Sequence, residues 1–133
     1  MLLRDTQDQI TLVRPAGTKD VLSREWELPG ATVRDGETPH ETASRAIHRA
    51  TGIRRDPPGA LLVTEWRRAD PLRARPAGVS LLFEPARLGL GELTPDPNVQ
   101  FVAPEDIGRL ATSLMERRVR AALAGQHFLP PPF

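Results

Sequence analysis

The sequence predicts an α+β fold, an α/β/α sandwich in which helices cover a mixed β-sheet. Two observations support this: short apolar runs recur on both sides of one strongly patterned early helix, and a second amphipathic helix closes the chain. The 133 residues, 39% of them hydrophobic, suffice to bury one core. We therefore expect a single domain over residues 1–126 and a proline-rich tail over residues 127–133.

The first third of the chain predicts short extended segments separated by turns. Residues 10–13 are apolar and β-branched, which is typical of a strand. Residues 25–28 are expected to be extended, because the following Pro29 disfavours the helical conformation in the residue before it. The turn signals Pro29-Gly30 and Asp35-Gly36 enclose a brief predicted strand at residues 31–33.

The strongest helix signal follows these turns. Thr38 is the expected N-cap, Pro39 occupies the first helical position, and Glu41 lies at capping-box spacing from Thr38. Gly52 is expected to end the helix. The apolar stripe that this helix would bury consists of Ala43, Ala46, Ile47 and Ala50.

The second half of the chain predicts three more strands and a closing helix. Strands are expected at residues 60–66, 79–83 and 98–102. The run at 79–83 is apolar except for Ser80, which predicts burial on both of its faces. Pro104 is expected to begin a short helical turn, and residues 113–124 have the pattern of an amphipathic helix.

Composition excludes several classes of protein. The net charge is +1, with basic and acidic residues spread along the chain, so we expect neither nucleic acid nor a membrane as partner. There are no cysteines, which excludes disulfides and thiolate metal sites. The chain has no apolar run of bilayer length, and its first residues lack a signal-peptide pattern. A cytoplasmic location is therefore expected.

The segment from Trp26 to Ile53 resembles the Nudix box, and the resemblance extends over essentially the whole chain. In that family the box is a glycine, five residues, a glutamate, seven residues, Arg-Glu-aliphatic, one residue, Glu-Glu, one residue and Gly-aliphatic. The frame fits here without an insertion, with Ala31 in the place of the first glycine. The matching positions are Glu37, Arg45, Ile47, Gly52 and Ile53. The resemblance implies the Nudix mixed sheet with a box helix and a C-terminal helix, and a possible homodimer.

Three positions depart from the box, and they are the ones that carry its chemistry. Ala46, Arg49 and Ala50 stand where the family has glutamates. At i, i+3, i+4 spacing these side chains share one patch of the helix. Carboxylates there would hold Mg²⁺, which prefers oxygen ligands and can activate water against a diphosphate. Two methyl groups and a guanidinium supply no such ligand. The sequence therefore predicts no metal site and no cofactor.

Two arginines and two tryptophans are candidate ligand-binding residues. Arg45 and Arg49 could hold a phosphate through the guanidinium group. The alternative for Arg45 is a structural ion pair, and the alternative for Arg49 is a solvated side chain. Trp26 and Trp66 could stack on a flat ligand. The alternative is that each packs in the core or at its rim. We expect the ligand to be a small molecule, and a nucleotide or another phosphorylated compound is one candidate.

Two carboxylates beside the tryptophans are candidate catalytic residues. Glu27 follows Trp26 and Glu65 precedes Trp66, and an apolar neighbour can raise the pKa of a carboxyl group enough for acid or base catalysis. If the altered box is functional, the patch formed by positions 46, 49 and 50 should border a cleft lined by Trp26, Glu27 or Trp66.

Three functional classes remain open from the sequence. The first is a Nudix-fold protein diverted from hydrolysis, either a small-ligand binder or an enzyme with metal-independent chemistry. The second is a pyrophosphohydrolase of a nucleoside diphosphate derivative, with Mg²⁺ held by relocated acids such as Asp96. The third is a protein-interaction module that uses Trp66, the tail and an arginine-rich loop. The arginines of this loop are Arg67, Arg68, Arg73 and Arg75.

Overall fold

The chain contains both strands and helices, and the α+β prediction is confirmed. The computed structural model describes residues 1–14, 25–54, 59–89, 91–93 and 95–131. No helix in these ranges is long and apolar enough to cross a membrane. In chain order the elements are β1 (Ile10–Val13), α1 (Pro39–Thr51), β2 (Ala60–Arg67), β3 (Gly78–Glu84), β4 (Val99–Val102), α2 (Ile107–Leu110), α3 (Ser113–Leu123) and β5 (Phe128–Leu129), with 3-10 turns at Pro71–Arg73 and Pro104–Asp106.

The strands form two sheets, which backbone hydrogen bonds join through the first residues of the chain. β1 pairs antiparallel with β4, while β2 lies between antiparallel β3 and parallel β5. The sheets are linked through the first residues of the chain: Leu2 N–H donates to Phe83 O at 2.8 Å, and Thr11 N–H donates to Leu3 O at 2.8 Å. Beyond this link the two sheets separate, and the outer edge of β3 is left without a partner strand among the described residues.

Helix α1 begins and ends where the sequence predicts. Thr38 Oγ1 accepts from Glu41 N–H at 3.2 Å, and Glu41 Oε1 accepts from Thr38 N–H at 3.4 Å, which completes the capping box. At the other end Gly52 has φ of 73°, a left-handed conformation in which its N–H bonds to His48 O at 2.7 Å. Pro39 is the first helical residue, so the prediction for this helix is confirmed.

Two apolar clusters show that helices cover both faces of β3. Leu82 packs in the larger cluster together with Val119 of α3, whereas Phe83 packs in a second cluster together with Ala43 and Ile47 of α1. Successive side chains of a strand point to opposite faces. The α1 side and the α3 side of β3 are therefore distinct, and each has its own core.

The predicted burial of β3 on both faces is wrong. Val79 is 46% exposed and Leu81 is 37% exposed, although Leu82 and Phe83 are buried. Leu81 and Val79 share the α1 side with Phe83, because they precede it by two and four residues along the strand. Only Phe83 belongs to the cluster under α1. The α1 side of β3 is thus open along the first half of the strand.

The predicted strand at residues 31–33 is also wrong. These residues are exposed and have no strand partner among the described ranges. Their one described tether is a side chain, since Arg45 Nη2 donates to Thr32 O at 3.0 Å. A single side-chain bond can hold this segment near α1, but a sheet needs a ladder of backbone bonds.

The start of the predicted tail is docked on the sheet. Phe128 and Leu129 pair with Thr64 and Glu65 of β2. The backbone oxygen of Pro130 accepts from Arg117 Nη2 at 2.7 Å. This segment therefore extends the β2–β3 sheet by one short strand.

Candidate functional site

A cleft of about 1260 Å³ lies where the two sheets separate. Consecutive residues 78–83 of β3 all line it. Because neighbouring side chains of a strand point to opposite faces, only the edge of β3 can present all of them to one space. Residues 27–33 also line the cleft, and both α1 and α3 contribute residues to its wall. The cleft therefore passes the open edge of β3 from the α1 side to the α3 side.

The altered part of the box forms the α1 wall of this cleft. Ala46, Arg49 and Ala50 all line it, as their helical spacing requires. Ala46 is buried and contributes a methyl group. The Arg49 side chain is exposed and makes no hydrogen bond or ion pair with the residues that the structure describes. The patch thus borders a cleft, as the sequence predicts.

The retained box residues Glu37 and Arg45 bind each other. Arg45 Nε and Nη2 donate to the two Glu37 carboxylate oxygens, each at 2.8 Å, and the same carboxylate accepts from Arg34 N–H and Thr42 Oγ1, each at 3.0 Å. The hydrogen bonds from Arg45, followed by the one from Arg34, lower the pKa of Glu37 to about 2. The same pair raises the pKa of Arg45. Arg45 therefore fastens the loop before α1 to the helix.

Glu65 is held by two arginines of α3. It is 2% exposed; Arg118 Nη2 donates to its Oε1 at 2.8 Å, and Arg117 Nη1 donates to its Oε2 at 3.0 Å. Arg118 Nη2 also reaches Ser80 Oγ at 3.3 Å. Burial of a carboxylate is costly unless such partners compensate its charge. This arrangement makes Glu65 an anchor between β2 and α3, with both carboxylate oxygens occupied.

Glu27 lies on the cleft, whereas the two tryptophans lie elsewhere. The Glu27 backbone pairs with Val13, and its side chain has no bonding partner in the described ranges. Trp26 is 3% exposed within the larger core cluster, with the guanidinium of Arg14 at 5.1 Å from its ring centre. Its ring therefore packs in the core and has no open face on the cleft. Trp66 is 56% exposed and does not line the cleft.

The cleft carries more positive than negative charge. Because Glu65 is compensated by Arg117 and Arg118, it does not offset the other arginines. Sequence reasoning missed Arg118: its bond to a residue 53 positions earlier leaves no local signal. The remaining charged lining residues are Arg14, Arg49 and Arg67 against Glu27 and Asp96.

The donor groups on α1 do not suit a divalent metal. Positions 46, 49 and 50 offer two methyl groups and a guanidinium, whereas Mg²⁺ takes oxygen ligands. Within the described part of the chain, no group of three His, Asp or Glu side chains is placed to hold a metal ion. Asp96 Oδ1 already accepts from Asn98 N–H at 2.8 Å. A metal held in the manner that the resemblance implies would therefore lack ligands on this helix.

Solved structures with the same fold are similar to this chain along most of its length. The MutT protein of Methanosarcina mazei Go1 aligns with a TM-score of 0.66 and 18% identity, over 89% of this chain and 84% of that protein. A UDP-X diphosphatase aligns with a TM-score of 0.65 and 19% identity, over 97% of this chain and 63% of that protein. The C. elegans Ap4A hydrolase aligns with a TM-score of 0.60 and 15% identity, over 87% of this chain and 86% of that protein. At such identities the likeness shows a shared fold alone.

Sequence comparison identifies the family. A search among curated proteins gives no match. The model of the NUDIX domain matches residues 1–123, which include the box, strands β1 to β4 and α3. The sequence prediction of the family is therefore confirmed: this chain belongs to the Nudix family.

Proposed function

We propose that this chain is a Nudix domain with a degenerate box, diverted from metal-dependent hydrolysis to the binding of a small phosphorylated ligand without a divalent cation. One observation carries the proposal. The patch that holds carboxylates in the family borders the cleft here with the methyl groups of Ala46 and Ala50 and the guanidinium of Arg49, which has no partner among the described residues. A pseudoenzyme or a metal-independent enzyme would both use the cleft in this way.

The chemistry of Arg49 supports an anionic ligand. A guanidinium remains charged at all physiological pH values, and its planar array of donors matches a phosphate. The methyl groups beside it reduce the local polarity, which strengthens electrostatic attraction compared with bulk water. Arg49 could therefore supply the positive charge that a metal ion supplies in a conventional box.

The first prediction concerns Arg49 and metal-free binding. Calorimetric titration of pyrophosphate and ADP in EDTA should show binding to the wild type, and Arg49→Ala should weaken it on the order of tenfold or more, because a charge-assisted hydrogen bond is lost. Arg109→Ala is the matched control, since this arginine is 80% exposed on α2 and lies outside the cleft. Robust Mg²⁺- or Mn²⁺-dependent release of phosphate from nucleotides would overturn the proposal.

An alternative is a pyrophosphohydrolase of a nucleoside diphosphate derivative that uses relocated acids. Glu27 and Asp96 favour it, because both line the cleft that Arg49 borders. Two structures of the same fold are also named as a diphosphatase and a hydrolase. Under this hypothesis Mg²⁺-dependent turnover exists and is abolished by Glu27→Gln or Asp96→Asn. Under the main proposal there is no Mg²⁺-dependent turnover in the wild type, so neither substitution changes it.

A second alternative is an interaction module, favoured by an exposed apolar face. Trp66 lies opposite Val79 in the β2–β3 register, and the 69% exposed Phe128 lies opposite Thr64. Paired residues of adjacent strands share a face of the sheet. Sedimentation velocity of the wild type and of Trp66→Ser tests whether two copies of the chain associate through this face. A homodimer that the substitution dissociates would support the module.

A further inference from the structure

We propose that Arg67 is a second anion-binding residue of the cleft, so that the ligand carries two separate anionic groups, one at Arg49 and one at Arg67. The inference rests on the proposed function, since it adds a second contact to the same ligand. Arg67 lines the cleft at the end of β2, and Arg49 lines it from α1.

Gly78 provides the space in which the Arg67 side chain lies. The two residues are partners in the β2–β3 register. A Cβ atom on Gly78 would stand 2.8 Å from Arg67 Nη2, so the end of the Arg67 side chain would have to shift to admit it. The guanidinium therefore lies across the glycine backbone, at the point where β3 enters the cleft. Any larger residue at position 78 would displace it.

The charge of Arg67 is unused within the described structure. Arg118 and Arg117 bind Glu65, and Arg73 lies 3.6 Å from Asp70. Arg67 makes no corresponding bond with any residue in the described ranges. Its guanidinium lies over Gly78, and its donors remain available to a ligand. Arg49 combines a place on the cleft with unused donors in the same way.

The two arginines approach the cleft from opposite sides of β3. Glu65 faces α3, and Arg67, two residues later on the same strand, shares that face. Arg49 belongs to α1, which covers the other face. A ligand that contacts both arginines must therefore pass the edge of β3.

The open edge of β3 offers further polar groups along that path. Phe83 O accepts from Leu2, so the backbone groups of Phe83 point away from β2. Backbone direction alternates along a strand, so the N–H and C=O groups of Val79 and Leu81 point to the same edge. No other described residue bonds to them there. The geometry suits an extended molecule with an anionic group at each end, and a single phosphate would satisfy only one end.

Ligands that carry two anionic groups at different separations test this inference. The probes are alkane bisphosphonates with linkers of one to six methylene groups, with methylphosphonate as the single-anion reference, titrated calorimetrically in EDTA. We expect one linker length to bind wild type on the order of tenfold more tightly than methylphosphonate, because the second anion adds a charge-assisted contact. Arg67→Ala should remove this advantage, so that no linker length binds more tightly than methylphosphonate, and Gly78→Ala, which shifts the guanidinium, should reduce it. Arg109→Ala should retain the full length dependence.

The outcomes separate this inference from the proposed function. If Arg49→Ala abolishes binding but Arg67→Ala retains the length preference, the second site is wrong and the proposed function stands. If the wild type binds no probe, or if Arg49→Ala has no effect, the proposed function fails as well. Thermal melting of each variant reports folding. Should Gly78→Ala fail to fold, Arg67→Ala decides the question alone, because its side chain is exposed and removes no core contact.

Discussion

At the scale of single residues, two positions of the box form a structural ion pair. Glu37 and Arg45 share two hydrogen bonds of 2.8 Å, and Arg45 also reaches Thr32 O. These contacts join the loop before α1 to the helix. This function of Arg45 does not depend on a metal, so the pair can persist when the glutamates of the same helix are replaced.

The ion pair makes stability depend on pH in the acid range. Because the pKa of Glu37 is lowered from 4.5 to about 2, the folded state prefers the ionised carboxylate. This stabilisation is fully present above about pH 4.5 and is lost as the pH falls through 2. Thermal midpoints measured between pH 6 and pH 2 should therefore fall less steeply for Glu37→Gln than for the wild type. Parallel curves would contradict the assignment, and the exposed Glu105→Gln serves as control.

At the scale of elements, a structural feature could be predicted when the residues that cause it lie close together in the sequence. The limits of α1 follow from Thr38, Pro39, Glu41 and Gly52, which lie in or beside the helix. The exposure of β3 depends on how far α1 extends over it, and no pattern within residues 79–83 records that distance. The apolar run indicates a strand correctly, but it does not specify which neighbours cover each face.

The same limit applies to the site. The position of residues 46, 49 and 50 on a common patch follows from helical spacing, so their place on the cleft could be predicted. The anchoring of Glu65 by α3 could not, because the contact joins residues more than 50 positions apart. Gly78 beneath Arg67 is a contact of the same kind, set by the register of β2 and β3.

The contact between β2 and α3 predicts a large effect of a small substitution. Glu65→Gln removes the charge that compensates Arg117 and Arg118, and loss of one partner of a buried ion pair costs about 3–5 kcal/mol. Urea denaturation should show a loss near the lower end of this range, because the amide can still accept one hydrogen bond. A change below about 1 kcal/mol, as expected for exposed Glu105→Gln, would contradict the anchoring role.

At the scale of the whole molecule, the separation of the two sheets creates the cleft. The sheets meet where Leu2 bonds to Phe83, and they part beyond it, so one end is closed and the edge of β3 is open. The α+β fold and the Nudix family could both be predicted from the sequence, since the frame of the box and the order of elements agree. The fold brings Arg49 and Arg67 to that opening, and the proposed ligand would bind there.

The central claim is that the altered box holds no divalent metal, and calorimetric titration with Mg²⁺ tests it most directly. The triple substitution Ala46→Glu, Arg49→Glu and Ala50→Glu provides the comparison, because it places three carboxylates on one patch of α1. We predict no saturable heat of Mg²⁺ binding for the wild type and a saturable heat for the folded triple variant. Saturable binding of Mg²⁺ to the wild type, with a stoichiometry near one or above, would contradict the account.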